Sequence, residues 1–215
     1  MFRIFVFVTV AAVGFCIAAG TANADRVILI PAGSTLSTGT IKAEYLASSE
    51  GGDAKAYWVN LGLSRFEVEG ARFQDFGPDD VDAFGIQASV IPETSFTPAI
   101  ALGIRDIADK TEGKGVLYKG QSLYLAVSKS VPVTGGVPLL IQDVKVHGGV
   151  GTGGLSGVFF GVEGSVVPLG IKLAAEYDTD NFNWAVSYSV IPVIGAKIVS
   201  LKDDIYYGAT FSISF

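Results

Sequence analysis

The amino-acid sequence predicts an all-β fold: a closed antiparallel up-and-down transmembrane β-barrel of about twelve strands. Three features of the chain predict it. Apolar residues alternate with small or polar ones along nearly its whole length, the period of a strand with two different faces. The chain is 49% apolar, yet beyond its first residues it has no unbroken apolar run of the roughly 18 that a membrane helix needs. The connections between alternating segments fall into two chemical classes that take turns.

The first 24 residues read as a cleaved secretory signal peptide. Arg3 supplies a positive start, Ile4 to Gly14 is apolar, and Ala22-Asn23-Ala24 is a small-residue cleavage site before Asp25. The apolar run is short for a transmembrane helix, and the bulky Phe15 before Cys16 does not suit lipoprotein processing. Residues 25–215 are then one barrel domain. Cys16, the single cysteine, leaves with the leader, so no disulfide, thiol nucleophile or cysteine metal site is expected. The net charge of −6, made more negative by losing Arg3, argues against a nucleic-acid partner.

The strands follow in order. Residues 39–47 set Ile41, Ala43 and Tyr45 against Lys42 and Glu44. Residues 55–63 set Tyr57, Val59 and Leu61 against Trp58, Asn60 and Gly62. Residues 66–76 are mixed, and their facing does not resolve. Residues 82–90, 97–105 and 121–129 alternate cleanly, with Arg105, Tyr124 and Ser128 opposite the aliphatic faces. Residues 144–151 place Lys145 and His147 opposite Val144 and Val146. Residues 157–166 place Glu163 opposite Val162, and residues 171–177 place Lys172 and Glu176 opposite Leu173 and Tyr177. Residues 182–189 alternate around Phe182 and Trp184. Residues 196–202 are weaker, with Val199 and Leu201 on one side. Residues 206–215 end the chain, with Tyr207, Phe211, Ile213 and Phe215 on one face. Stretches of about ten residues suit tilted membrane strands.

One class of connection is polar: Ser48–Asp53, Gly77–Val81, Asp106–Lys119, Thr152–Ser156, Asp178–Asn181 and Asp203–Ile205. The other is apolar and proline-bearing: Ser64-Arg65, Ile91–Phe96, Val131–Asp143, Val167–Gly170 and Ile191–Gly195. The polar set is expected to form extracellular loops and the other periplasmic turns, where proline stops a strand. Val131–Asp143 is long for a turn and leaves room for a short helix.

The stretch Val167-Pro168-Leu169-Gly170-Ile171-Lys172-Leu173-Ala174-Ala175-Glu176-Tyr177-Asp178, with Asn181-Phe182-Asn183, resembles the YjbH-like outer-membrane proteins. Ile30-Pro31-Ala32-Gly33 through Gly39-Thr40 is similar to the start of their barrels. The resemblance covers about two hairpins of a chain much shorter than typical members. It implies an outer-membrane barrel and a connection to exopolysaccharide production and export.

The lumen-facing candidates are Lys42, Glu44, Arg105, Lys145, His147, Glu163, Lys172 and Glu176. They describe either a polar path or a filling of mutually paired charges, with Lys42 beside Glu44 and Lys172 beside Glu176. Twelve strands lie between a barrel filled by side chains and an open porin, and a mostly blocked or narrow lumen is expected. Tyr45, Tyr57, Tyr177, Trp184, Tyr188 and Tyr207, together with Phe182, form an expected aromatic girdle on the lipid face. Phe215 resembles a terminal recognition signal for the barrel-assembly machinery.

No cofactor and no metal site is expected, since one histidine without cysteine is a poor metal set. Gly148–Gly157 lacks the lysine and helix of a phosphate loop. The function expected is a non-enzymatic barrel of the bacterial outer membrane: a narrow pore, a structural envelope protein or an accessory to exopolysaccharide export. Its partners would be lipid, the assembly machinery and polysaccharide or small solutes. Two alternatives stand beside it. One is a phospholipase-like hydrolase using His147 with Ser128 or Ser165. The other is a soluble periplasmic β-sandwich, which the repeated aliphatic faces make awkward.

Overall fold

The structure is a computed structural model that describes residues 26–49, 53–132, 141–166, 169–191 and 193–215. Twelve strands run in order: β1 (Thr40–Ser48), β2 (Lys55–Leu63), β3 (Phe66–Gln74), β4 (Val81–Ile91), β5 (Ala99–Arg105), β6 (Ser122–Ser130), β7 (Ile141–Gly151), β8 (Gly157–Val166), β9 (Ile171–Tyr177), β10 (Phe182–Ile191), β11 (Ile194–Leu201) and β12 (Asp204–Ser214). Each pairs antiparallel with its sequence neighbours, and β1 pairs with β12 from Thr40–Ser214 to Ser48–Tyr206, closing the barrel. Closure leaves no free strand edge, which is what hydrocarbon demands of a spanning sheet. The sequence boundaries agree with these strands to within a few residues. The exception is β7, which begins at Ile141, inside the expected long turn. A helix within that turn would fall on residues 133–140, outside the described residues.

Alternation decides what each strand shows the outside. Val59, Phe84, Leu123, Val158, Phe160, Phe182 and Phe211 are among the large apolar residues exposed on the exterior. They form a belt around the barrel that water would penalise heavily and lipid does not. A soluble sandwich is therefore excluded. The protein is a closed β-barrel with the apolar exterior of a membrane-spanning one.

The turns follow from local chemistry. Lys202 and Asp203 have φ of 53° and 73° between β11 and β12. Two consecutive positive values suit a two-residue hairpin whose twist matches the strands. At the bottom of β4 and β10 the register shifts near Ser89 and Ser189, widening the sheet ahead of the proline-bearing turns.

The interior is divided. Towards the polar-loop rim it is apolar: Leu46, Trp58, Phe73, Val199, Leu201 and Tyr206 point inward and pack together. Phe73 meets Trp58, Phe76 and Tyr118 edge-on, with ring centroids 5.0–6.0 Å apart. Towards the turn rim it is polar and charged. Phe159 lies against Gly149, where a Cβ would sit 2.3 Å from the ring, so that glycine makes room for an aromatic neighbour.

Candidate functional site

The lumen is occupied by the chain itself. Residues 26–39 precede β1 and fold back through the barrel as a strap. Ile28, Leu29, Ile30, Ala32 and Leu36 are buried in it. A tight turn, with Val27 N–H donating to the Ile30 carbonyl and an Arg26–Pro31 bridge, heads the strap. Its ascent from the turn rim is fixed by side chains of successive strands. Leu36 N–H donates to Glu67 of β3 at 2.7 Å. Gln87 of β4 donates to the Ser34 carbonyl at 3.1 Å. Gly33 N–H donates to Ser128 Oγ of β6 at 2.7 Å. Arg105 of β5 donates to the Leu29 carbonyl at 2.7 Å. Gly33 is seated so close to the wall that a Cβ would lie 2.5 Å from Ser128 N and 2.6 Å from the Ala99 carbonyl.

The strongest attachment is at Glu176 of β9. Its carboxylate accepts the backbone N–H groups of Ile28, Leu29 and Ile30 at 2.8, 2.8 and 3.2 Å, and Asn183 donates to it at 3.0 Å. Three successive amides around one carboxylate form an anion-binding nest whose anion is part of the barrel wall. Arg26 reaches the opposite wall. Its guanidinium pairs with Glu69 at 2.8 Å and Glu44 at 3.2 Å, and lies 4.5 Å from the Trp58 ring centroid. A buried guanidinium needs such paired carboxylates.

The polar loop between β5 and β6 closes the other end. Asp106 takes the N–H groups of Lys110 and Thr111 and the Thr111 hydroxyl, tying the loop into a compact turn. Val116, Leu117 and Tyr118 are thereby buried against the strap. Tyr118 accepts from Trp58 Nε1 at 2.9 Å and donates to Glu69 at 2.7 Å, while the Arg105 guanidinium lies 4.2 Å from its ring centroid. Between these groups lie cavities of about 10 and 20 Å³, lined respectively by Leu29, Tyr118 and Asp178 and by Arg26, Glu67 and Tyr124, with Arg105 common to both. Each has room for about one water.

The expected lumen residues all face inward, but their pairing differs from the local one expected. Glu44 is bound directly by Lys197 of β11 at 2.6 Å and by Arg26, with Lys42 acting on it from further away. Lys172 pairs with Glu163 at 2.7 Å, and Glu176 turns to the strap. Strand geometry explains the Lys172 pairing: residues four apart on a strand are separated by about 13 Å, whereas neighbours on adjacent strands such as β8 and β9 lie much nearer. Lys197 reaches Glu44 across β12, whose Gly208 leaves the space between them open. Lys145 reaches Glu93 in the turn before β5 at 3.5 Å. Lys42 is half-buried opposite Ser212.

Ser128, His147 and Glu163 stand on three adjacent strands. Ser128 Oγ lies 2.7 Å from His147 Nδ1, and His147 Nε2 lies 3.7 Å from Glu163. Ser128 Oγ accepts from Gly33 N–H and shares a second hydrogen bond with His147 Nδ1, while Nε2 faces the carboxylate. The arrangement has the order of a nucleophile, base and orienting acid. It is buried beneath the strap, where Ser128 accepts from Gly33 N–H.

On the exterior, Tyr45 and Tyr57 pack at 5.1 Å, and Tyr177 packs on Phe160 at 5.4 Å. These, with Phe182 and Tyr207, lie at the polar-loop rim. Trp184 sits one outward position further in, and Tyr188 lies toward the turn rim. Phe66, Phe96 and Phe215 are exposed at the turn rim as well, so outward aromatics stand at both ends of the barrel. Phe215 exposes its side chain while its N–H donates to the Gly39 carbonyl at 3.2 Å.

The sequence pattern did not identify the strap, Arg26, Glu67, Glu69, Tyr118 or Lys197 as parts of the site. Arg26 ahead of the apolar Val27–Ile30 run was the available signal, since it is too short to make a strand of its own.

No family model matches the chain, and no curated protein matches it. Among solved structures, the KdgM porin is 12% identical, with a TM-score of 0.49 over 82% of this chain and 99% of that one. The KdgM porin in complex with disordered oligogalacturonate is 10% identical, with a TM-score of 0.48 over the same shares.

Proposed function

We propose that this outer-membrane barrel is a non-enzymatic, narrow conduit that rests closed. The observation that carries the proposal is the filling of the lumen by residues 26–39 from one end and Val116–Tyr118 from the other. The two cavities between these elements and the wall are of about one-water size. The polar, hydroxyl- and charge-bearing wall beneath the strap is the kind that carries water and small solutes once a path exists. The exterior aromatics would seat the loop rim at the lipid interface, and Phe215 would present the chain to the assembly machinery.

Planar-bilayer recording of the refolded protein tests this. Long silent periods broken by small steps are expected. A steady large conductance from the moment of insertion would overturn the closed state. A hydrolase reading draws on the 2.7 Å Ser128–His147 contact, but the strap amide on Ser128 and the burial of all three groups favour the conduit.

A further inference from the structure

We infer that the strap is a gate, hinged at Gly39 and latched at its far end by Glu176 and Arg26. The inference rests on the conduit reading and adds which element moves and what holds it. The two closing elements are built differently. The β5–β6 loop is knotted to itself: Asp106 binds Lys110 and Thr111, Thr111 accepts from Gly120 N–H, and Asp109 accepts from Gln121 N–H. It holds its shape without the strap. The strap has two short turns, Val27–Ile30 at its tip and Ser37–Thr40 where it enters β1, and between them its described hydrogen bonds run to side chains of the wall.

Those wall contacts are spread over seven strands, and they are unequal. Near the turn rim Leu36 is held by the Glu67 carboxylate, Ser34 by Gln87 and Gly33 by Ser128, each on a different strand. At the tip, Glu176 alone binds three amides and Arg26 binds two carboxylates. The tip therefore hangs on two charged groups that each gather several contacts, and the stem on separate contacts to three strands. Releasing the tip frees the middle of the lumen, where Ile28–Ile30 meet Arg105 and Glu176, without unpairing any strand of the barrel. Gly39, with φ of 77°, joins the stem to β1 and is anchored to the wall by Gly62 and Phe215, so the strap swings about it with the barrel end held in place. The latch is a charge-assisted one, so withdrawing the Glu176 charge while keeping its shape weakens the tip selectively.

The test compares the full mature chain, refolded, in three forms by single-channel recording. The first is wild type. The second is Glu176→Gln, which retains the side-chain oxygen and the Asn183 neighbour. The third carries Ser34→Cys with Gln87→Cys, tethering the strap to β4 in a chain whose only native cysteine lies in the leader. Glu176→Gln is expected to raise the open fraction at least tenfold at unchanged step size. The oxidised double-cysteine form should stay silent and on reduction show steps at least as frequent as wild type, since the Gln87–Ser34 hydrogen bond is gone. Steps that persist at the same frequency in the oxidised form, or a Glu176→Gln barrel that opens no more often than wild type, would overturn the gate and leave the conduit standing. Silence of all three forms, reduced as well as oxidised, would remove the conduit and the gate together.

Discussion

Leu29 and Glu176 are 147 residues apart in the chain and joined by a 2.8 Å hydrogen bond inside the lumen. Glu176 is the attachment on which the strap's apolar tip depends, because Ile28 and Ile30 donate to the same carboxylate. Glu176→Leu should leave three buried amides without an acceptor and lower stability by about 3 kcal/mol or more. Glu176→Gln should lose less. The shift of the urea midpoint, followed by gel mobility of the folded barrel in detergent, measures both. Equal stability for Leu and Gln would mean the strap does not rely on this carboxylate.

The Ser128–His147 pair gives a second outcome. As a wall bracket for Gly33, Ser128→Ala should weaken the folded barrel by about 1 kcal/mol. His147→Ala should leave lipid and ester hydrolysis at background. Covalent capture of Ser128 by a serine-reactive phosphonate in the intact protein would revive the hydrolase reading.

Most of the barrel was legible in the sequence because lipid imposes one rule on every outward position. Val158, Phe160 and Val162 could be read as outward from their spacing alone, and they are exposed. The rule fails where the interior is itself apolar. In β3, Glu67 and Glu69 share the inward face with Ala71 and Phe73, while Arg72 points out. Alternation there carries no clean sign, which is why that strand's facing did not resolve. Val199 and Leu201 point inward for the same reason. The site was less legible. Each of its key contacts joins the strap to a strand far along the chain, and no local pattern encodes such a pairing. The eight inward polar residues could be named, whereas their partners depended on register across strands and on the strap.

Outside the membrane-spanning strands, Glu93 offers a pH test. Burial works against its carboxylate, but the Ser130 backbone and side-chain hydrogen bonds, with Lys145 and Lys129, outweigh that and hold it below its usual value near 4.5. A carboxyl depressed on folding stabilises above the unfolded-state value and loses that contribution as pH falls through the folded one. Wild type should therefore exceed Glu93→Gln in stability at neutral pH, and the gap should close on acidification below about pH 4. Urea midpoints of the two proteins across that range provide the check, and a gap independent of pH would contradict it.

Asp203 adopts a φ of 73° in the β11–β12 turn, where a side chain carries strain that glycine lacks. Asp203→Gly should stabilise the barrel by about 1 kcal/mol. A destabilised variant would mean that Asp203 makes compensating interactions in the turn.

The most direct test of the closed lumen is trypsin digestion of the refolded protein, read by mass spectrometry. Arg26 is almost fully buried, while Lys110 on the polar loop is exposed. With the strap inside the barrel, cleavage after Lys110 should proceed while the bond after Arg26 stays intact until the barrel is denatured. Cleavage after Arg26 at the rate of Lys110, in a barrel that still migrates as folded, would place the strap outside the lumen and contradict the account.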